Sequence, residues 1–118
     1  MAEEYVKRSS RFLKTEMREI HPQRFDPWEK HPSAMKILLD PAGRTLDSAG
    51  LIRVIEKESR DIVFVIGGSD GLPEEWKPRA DLLLSLSPLT MPHELARVIL
   101  AEQIYRVLTT MRRHPYPR

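Results

Sequence analysis

The sequence predicts an α/β fold, a mostly parallel sheet with helices on both faces, from three observations. The run DIVFVIGG (61–68) is β-branched and apolar on both sides, the pattern of a central parallel strand. Two other apolar runs, AMKILLD (34–40) and LLLSLSPLTMP (82–92), have the same character. Segments with helical spacing of their apolar residues alternate with these runs, as βαβ connections require.

From the start of the chain, residues 2–12 read as a short helix with Tyr5, Val6 and Phe12 apolar, and 13–20 as a strand with Leu13, Thr15 and Met17 on one side. Pro22, Pro27 and Pro32 rule out continuous helix or a central strand over 21–33, which is expected to be an irregular linker loop. The strand at 34–40 is expected to end in the turn PAGR. Thr45 or Asp47 can cap a helix that runs to about Ser59. After 61–68, a short helix is expected from Pro73, placed as a first-turn proline. The last helix is expected from His93 to Met111, and Pro115 and Pro117 stop it from continuing.

The 118 residues fit one domain, taken as 1–118, with enough chain for one core. A hydrophobic fraction of 41% beside 31% charged residues is ordinary globular composition. No apolar run reaches the roughly 20 residues that span a bilayer, and the start lacks a signal-peptide core, so no membrane association is expected. Absence of cysteine excludes disulfides, thiolate nucleophiles and cysteine-based zinc sites, and it suits a cytoplasmic protein. No metal-ligand spacing appears. The net charge of +2 is unevenly spread. After Glu102 no acidic residue follows, while Arg106, Arg112, Arg113 and Arg118 do, with His114 among them. Lys7, Arg8, Arg11 and Lys14 form a second basic cluster, and such ends are compatible with a polyanionic partner.

In parallel sheets ligands sit beyond the carboxyl ends of the strands. Three such ends are present: Leu39-Asp40 before Pro41-Ala42-Gly43, Ile66 through Gly71, and Leu84 through His93. Glycines at 67, 68 and 71 permit a tight turn or the close approach of a ligand. The loop is neither GxGxxG nor a P-loop, so no dinucleotide or nucleoside triphosphate is inferred. Leu86, Leu89 and Met91, with their flanking amides, can supply apolar walls and polar backbone to an adenine. Each of these leucines taken singly reads first as core. No nucleophile elbow is present.

The conjunction of FVIGGSDGL, LLSLSPLTMPHELARVILAEQIYR and a terminal HPYPR resembles the SPOUT-superfamily methyltransferases that modify N3 of a pseudouridine in large-subunit ribosomal RNA. The match in order and spacing covers residues 34–118 and extends weakly to EEYVKRSSRF. The resemblance implies a C-terminal trefoil knot and bound S-adenosyl-L-methionine, held by Leu39, Asp40, Gly67, Gly68, Ser87, Pro88, Leu89, Thr90, Met91 and Pro92. It also implies a homodimer in which the tail, 112–118, completes the partner's site, with the ribosomal RNA of the large subunit as substrate.

Methyl transfer to an imide nitrogen needs alignment and loss of a proton. His114, Tyr116 and Arg118 are the catalytic candidates in the tail, and Tyr116 is suited to stack on an unpaired base. His93, Arg106, Arg112 and Arg113 are the candidates for contact with RNA. His93 reads equally as a helix cap, and Arg106 as the partner of Glu102 in an i,i+4 ion pair.

Two departures from the family pattern stand out. Pro117 takes the place of the last histidine of the family's His-Pro-Tyr-His tail. The family also begins with an apolar strand and loop before the first helix, whereas this sequence begins inside that helix, and a smaller sheet with an exposed edge is the expectation. These departures motivate an alternative, a non-catalytic RNA- or ribosome-binding homologue.

Overall fold

The computed structural model describes residues 1–10, 24–68, 71–87, 89 and 91–113. Three parallel strands form one sheet: β1 (Met35–Thr45), β2 (Ile62–Val65) and β3 (Leu82–Ser85), in the order β2-β1-β3. Around them lie α1 (Ala2–Ser9), α2 (Pro27–Lys30), α3 (Ser48–Lys57), a 3₁₀ helix at Glu74–Arg79, and α4 (His93–Arg113). The strand expected at 13–20 lies outside the described residues.

Both faces of the sheet are covered, as the apolar strands require. On one face Ile37 and Leu84 pack with Leu51 of α3 and Val107 of α4, joined by Ile62 and Phe64 of β2. On the other, Leu38 and Val65 pack with Leu72 and Trp76, beside Trp28 and Leu83. The alternation is strict: odd residues of β1 face α3 and α4, and Leu38 faces the tryptophans. The two crossovers follow from it. α3 carries the chain from β1 to β2 on one face, and the 3₁₀ helix carries it past β1 to β3 on the other. Reversing the direction of travel across a sheet while keeping a right-handed connection requires that change of face.

Local signals account for most element boundaries. Asp47 is the cap of α3, its carboxylate accepting from the Gly50 amide at 2.7 Å, so of the two expected caps Asp47 serves and Thr45 does not. The linker expected to be irregular holds a helical turn: Asp26 accepts from the Trp28 and Glu29 amides, and Pro27 occupies the first helical position. That turn seats Trp28 edge-on against Trp76 at 5.7 Å, with the Arg79 guanidinium 4.1 Å above the Trp28 ring. The segment after Pro73 is 3₁₀ rather than α, with Pro73 as its N-cap. Pro78 within it has no amide to donate to an α-helical ladder. α1 lies along α4, where Ala96, Leu100 and Ala101 are buried and Tyr5 meets Tyr105 at 6.0 Å.

The main correction concerns β1. The strand does not end at the PAGR turn. Leu39 pairs with Leu84, residues 40–43 bulge out of register, and Arg44 and Thr45 pair again with Leu84 and Ser85. Pro41 cannot donate to a ladder, which breaks the pairing there. Gly43 lets the chain return, because a Cβ on it would stand 2.7 Å from the Leu83 carbonyl carbon and oxygen.

Gly43→Ala is therefore expected to cost about 1–3 kcal/mol, the range for forced overpacking. Gly68→Ala, where a Cβ meets nothing within 4 Å, should be neutral or slightly stabilising. Thermal unfolding of the two variants checks this, and equal midpoints would contradict the packing described for Gly43.

Candidate functional site

Parallel pairing with β1 in the middle brings the three carboxyl ends to one edge of the sheet, each about 5 Å from its neighbour. Leu38 pairs with Val65 and Leu39 with Leu84, so Leu39-Asp40 lies between Ile66-Gly67 and the residues that follow Ser85. In the order β2-β1-β3 this edge holds the point where successive connections diverge, the usual ligand crevice of an open α/β sheet. The structure thus brings together the expected residues Leu39, Asp40, Gly67, Gly68 and Ser87. Leu89, Met91 and Pro92 belong to the loop that leaves this edge for α4. Pro88 and Thr90 lie outside the described residues.

The glycine loop is tightly built. The Gly71 amide donates to the Gly68 carbonyl at 3.0 Å, and Gly71 has φ +76°, a conformation glycine adopts without strain. A Cβ on Gly67 would stand 2.7 Å from the Gly71 carbonyl carbon and 2.8 Å from the Leu72 nitrogen. Gly67 is therefore required by the turn itself. Gly68 is the open position, exposed and with empty space where a side chain would begin. The two glycines were expected to act alike, and their roles differ.

On the third strand end, the Ser87 hydroxyl accepts from the Leu89 amide at 3.1 Å, turning the chain away from β3. Leu89 is 76% exposed, so it is not core. The Pro92 carbonyl accepts from the Ala96 amide and opens α4. Ser85, not among the expected site residues, is buried at the end of β3, and its hydroxyl has no hydrogen-bond partner among the described residues. A buried hydroxyl left unmatched is uncommon, and this one stands at the strand-end edge. An open glycine position, the exposed Leu89 and a buried hydroxyl at one edge fit a ligand that is part apolar and part polar.

Asp40 already has partners. Its carboxylate accepts from the Ala42 amide at 3.0 Å and pairs with Lys77 at 3.0 Å, and Lys77 also holds Glu74. The Ala42 amide and then the Lys77 ammonium keep the Asp40 carboxyl below its usual range. Asp40 thus pins the bulge of β1 to the 3₁₀ helix, a tie that sequence spacing does not reveal.

Two of the expected RNA-contact residues, His93 and Arg106, lie far apart on α4. His93 opens α4, 44% exposed, with its Nε2 3.3 Å from Glu94. Arg106 lies thirteen residues on, about 20 Å along the helix, and its guanidinium is held by Glu102 in the expected i,i+4 pair. It lines a cleft of about 400 Å³ between α3 and α4 with Ser48, Ile52 and Thr110. Arg112 and Arg113 are the last residues of α4. His114, Tyr116 and Arg118 lie outside the described residues. Among the described residues no group of His, Asp or Glu is placed to hold a metal ion, and no helix is long and apolar enough to cross a membrane.

The depressed carboxyl of Asp40 sets a pH dependence. A lowered folded-state value means that its stabilisation is complete above the ordinary aspartate range near pH 4 and declines as pH falls below it. Asp40→Asn should be less stable than the wild type at pH 7, with the gap closing under acid. Chemical denaturation at both pH values reads this, and a constant gap would show that the carboxylate charge is not what matters.

Comparison with known proteins places the whole chain in one family. The family described as "Predicted SPOUT methyltransferase" matches residues 1–117. A "Ribosomal RNA large subunit methyltransferase H" of Solibacter usitatus (strain Ellin6076) is 58% identical over 121 residues, covering 100% of this chain and 87% of the relative. Proteins of the same name from Paraburkholderia xenovorans (strain LB400) and Burkholderia vietnamiensis (strain G4 / LMG 22486) are each 38% identical over 135 residues, covering 98% of this chain and 86% of theirs. On these matches, across nearly its whole length, the chain belongs to the SPOUT methyltransferase family.

Proposed function

We propose that this protein is an S-adenosyl-L-methionine-dependent methyltransferase of large-subunit ribosomal RNA, with N3 of a pseudouridine as acceptor. The observation that carries the reading is the open strand-end edge around Gly68, in a chain whose family match spans residues 1–117. The relatives' name supplies the RNA class. The pseudouridine and its N3 rest on the motif resemblance.

In this reading Gly68 leaves room for the cofactor, while Gly67 and Gly71 hold the turn that keeps the room open. Leu39, Leu89 and Met91 provide the apolar wall, and the backbone of 87–92 provides donors and acceptors for an adenine. Asp40 acts by fixing the β1 bulge through Lys77, and the Ser85 hydroxyl is available to a polar group of the ligand. S-adenosylmethionine supplies a methyl group on a sulfonium sulfur, open to in-line attack. The protein's task is to hold the acceptor nitrogen at about 3–3.5 Å on that line and to ease loss of its proton. His114, Tyr116 and Arg118, contributed by a second subunit, are assigned to that task, with Tyr116 stacking on the base and a cation favouring the imidate. The homodimer, the trefoil knot and a cytoplasmic location belong to the same reading. Exposed Leu89 and Leu95 support a covering partner. Pro117 in the tail favours the second reading, an RNA-binding homologue without turnover.

Calorimetric titration with S-adenosylhomocysteine tests the proposal. The wild type should bind. Gly68→Leu should keep its melting temperature, because nothing described lies within 4 Å of where its Cβ would stand, yet bind at least tenfold more weakly. Undiminished binding by that variant would place the cofactor elsewhere. Tyr116→Ala should bind normally and transfer no methyl group to unmodified ribosomes. A wild type that binds both ligand and ribosome without turnover would establish the second reading instead.

A further inference from the structure

A second cleft, of about 180 Å³, lies along α3 and is lined by Arg44, Leu46, Gly50, Arg53, Val54 and Lys57. Three of the six residues are cationic and none is acidic. All three cations are exposed, and none forms an ion pair or side-chain hydrogen bond among the described residues. Arg60, Lys77, Arg79, Arg97 and Arg106 are each paired with a carboxylate, whereas these three line one cleft together without such a pair.

Like charges stand close together here, and Glu56, three residues from Arg53, is the acidic residue of α3. Arg53 and Lys57 stand one turn apart on the same face of α3, where like charges are mildly destabilising. Arg44, which re-pairs with Leu84 beyond the bulge, adds a third charge beside them. Lys57 lies in the last turn of α3 and gains from the helix dipole, but that explanation does not reach Arg44 or Arg53. Three cations grouped in one cleft, without an ion pair among the described residues, are the kind of electrostatic footprint that suits a polyanion.

We infer that Arg44, Arg53 and Lys57 form a track for the phosphate backbone of the RNA substrate, running from the strand-end edge down the flank of α3. The connection to the edge is direct, because Arg44 follows the 40–43 bulge that borders the candidate methylation site. The inference rests on the reading of the protein as an RNA methyltransferase and adds the surface that carries the strand. The three side chains act as point charges on phosphates, which fix register and carry no base specificity.

The test is binding of purified large ribosomal subunits at a series of salt concentrations by wild type, by the triple variant Arg44→Gln/Arg53→Gln/Lys57→Gln, and by Arg60→Gln. Arg60 is an exposed cation held by Glu58 through two hydrogen bonds and serves as the control. Loss of three phosphate contacts should lower the slope of log K against log salt by about two to three and weaken binding roughly tenfold or more near 0.1 M salt. The control should match the wild type. The triple variant should melt with the wild type and titrate normally with S-adenosylhomocysteine, which separates lost contact from lost fold. Unchanged slope and affinity in the triple variant, with the wild type binding well, would overturn the track and leave the methyltransferase reading standing. A wild type that ignores ribosomal subunits but binds anionic phospholipid vesicles through these residues would overturn both.

Discussion

The architecture depends on β1 being hydrogen-bonded on both sides and buried on both faces. It is the strand with two neighbours in the described sheet, and Ile37 and Leu38 at its centre are fully buried, one against each layer. Even Lys36 is buried there, with its ammonium donating to the Ala34 carbonyl and its amide to the Asp81 carboxylate. With β1 fixed in this way, β2 and β3 add on opposite sides and their connections must use opposite faces. The carboxyl edge of β1 then becomes the place where the chain diverges and where a ligand can approach backbone from three strands.

The same strand explains why the edge is open rather than filled. Pro41 interrupts the ladder, residues 40–43 bulge outward, and the Asp40–Lys77 pair holds the bulge against the 3₁₀ helix. Gly43 and Gly67 permit backbone contacts that a side chain would forbid, so the edge is shaped by close packing behind it. Gly68 is free of that role.

Much of this was legible in the sequence because apolar runs and caps are local signals. DIVFVIGG and AMKILLD read as parallel strands from their two-sided apolarity, and Thr45 and Asp47 read as the two cap positions before Leu51, of which Asp47 serves. The resumption of β1 at Arg44 was not legible, because it depends on how Gly43 meets the backbone of Leu83 and Leu84. The helical turn at Pro27–Lys30 was obscured by three prolines, which exclude long helices but favour the first position of a short one. The identities of most expected site residues came from motif resemblance, whereas the difference between Gly67 and Gly68 is purely spatial. The partner of Asp40 and the isolation of Arg44, Arg53 and Lys57 are likewise matters of tertiary contact, since periodicity places Arg53 and Lys57 on one face but says nothing of missing counterions.

In the proposed reading the cofactor lies across the carboxyl ends of β1, β2 and β3. Amide chemical-shift mapping by NMR during titration with S-adenosylhomocysteine tests it most directly. The account predicts that the perturbed amides cluster at 39–43, 66–71 and 85–92. Perturbations centred instead on Ser48, Ile52, Arg106 and Thr110, in the larger cleft between α3 and α4, would contradict it.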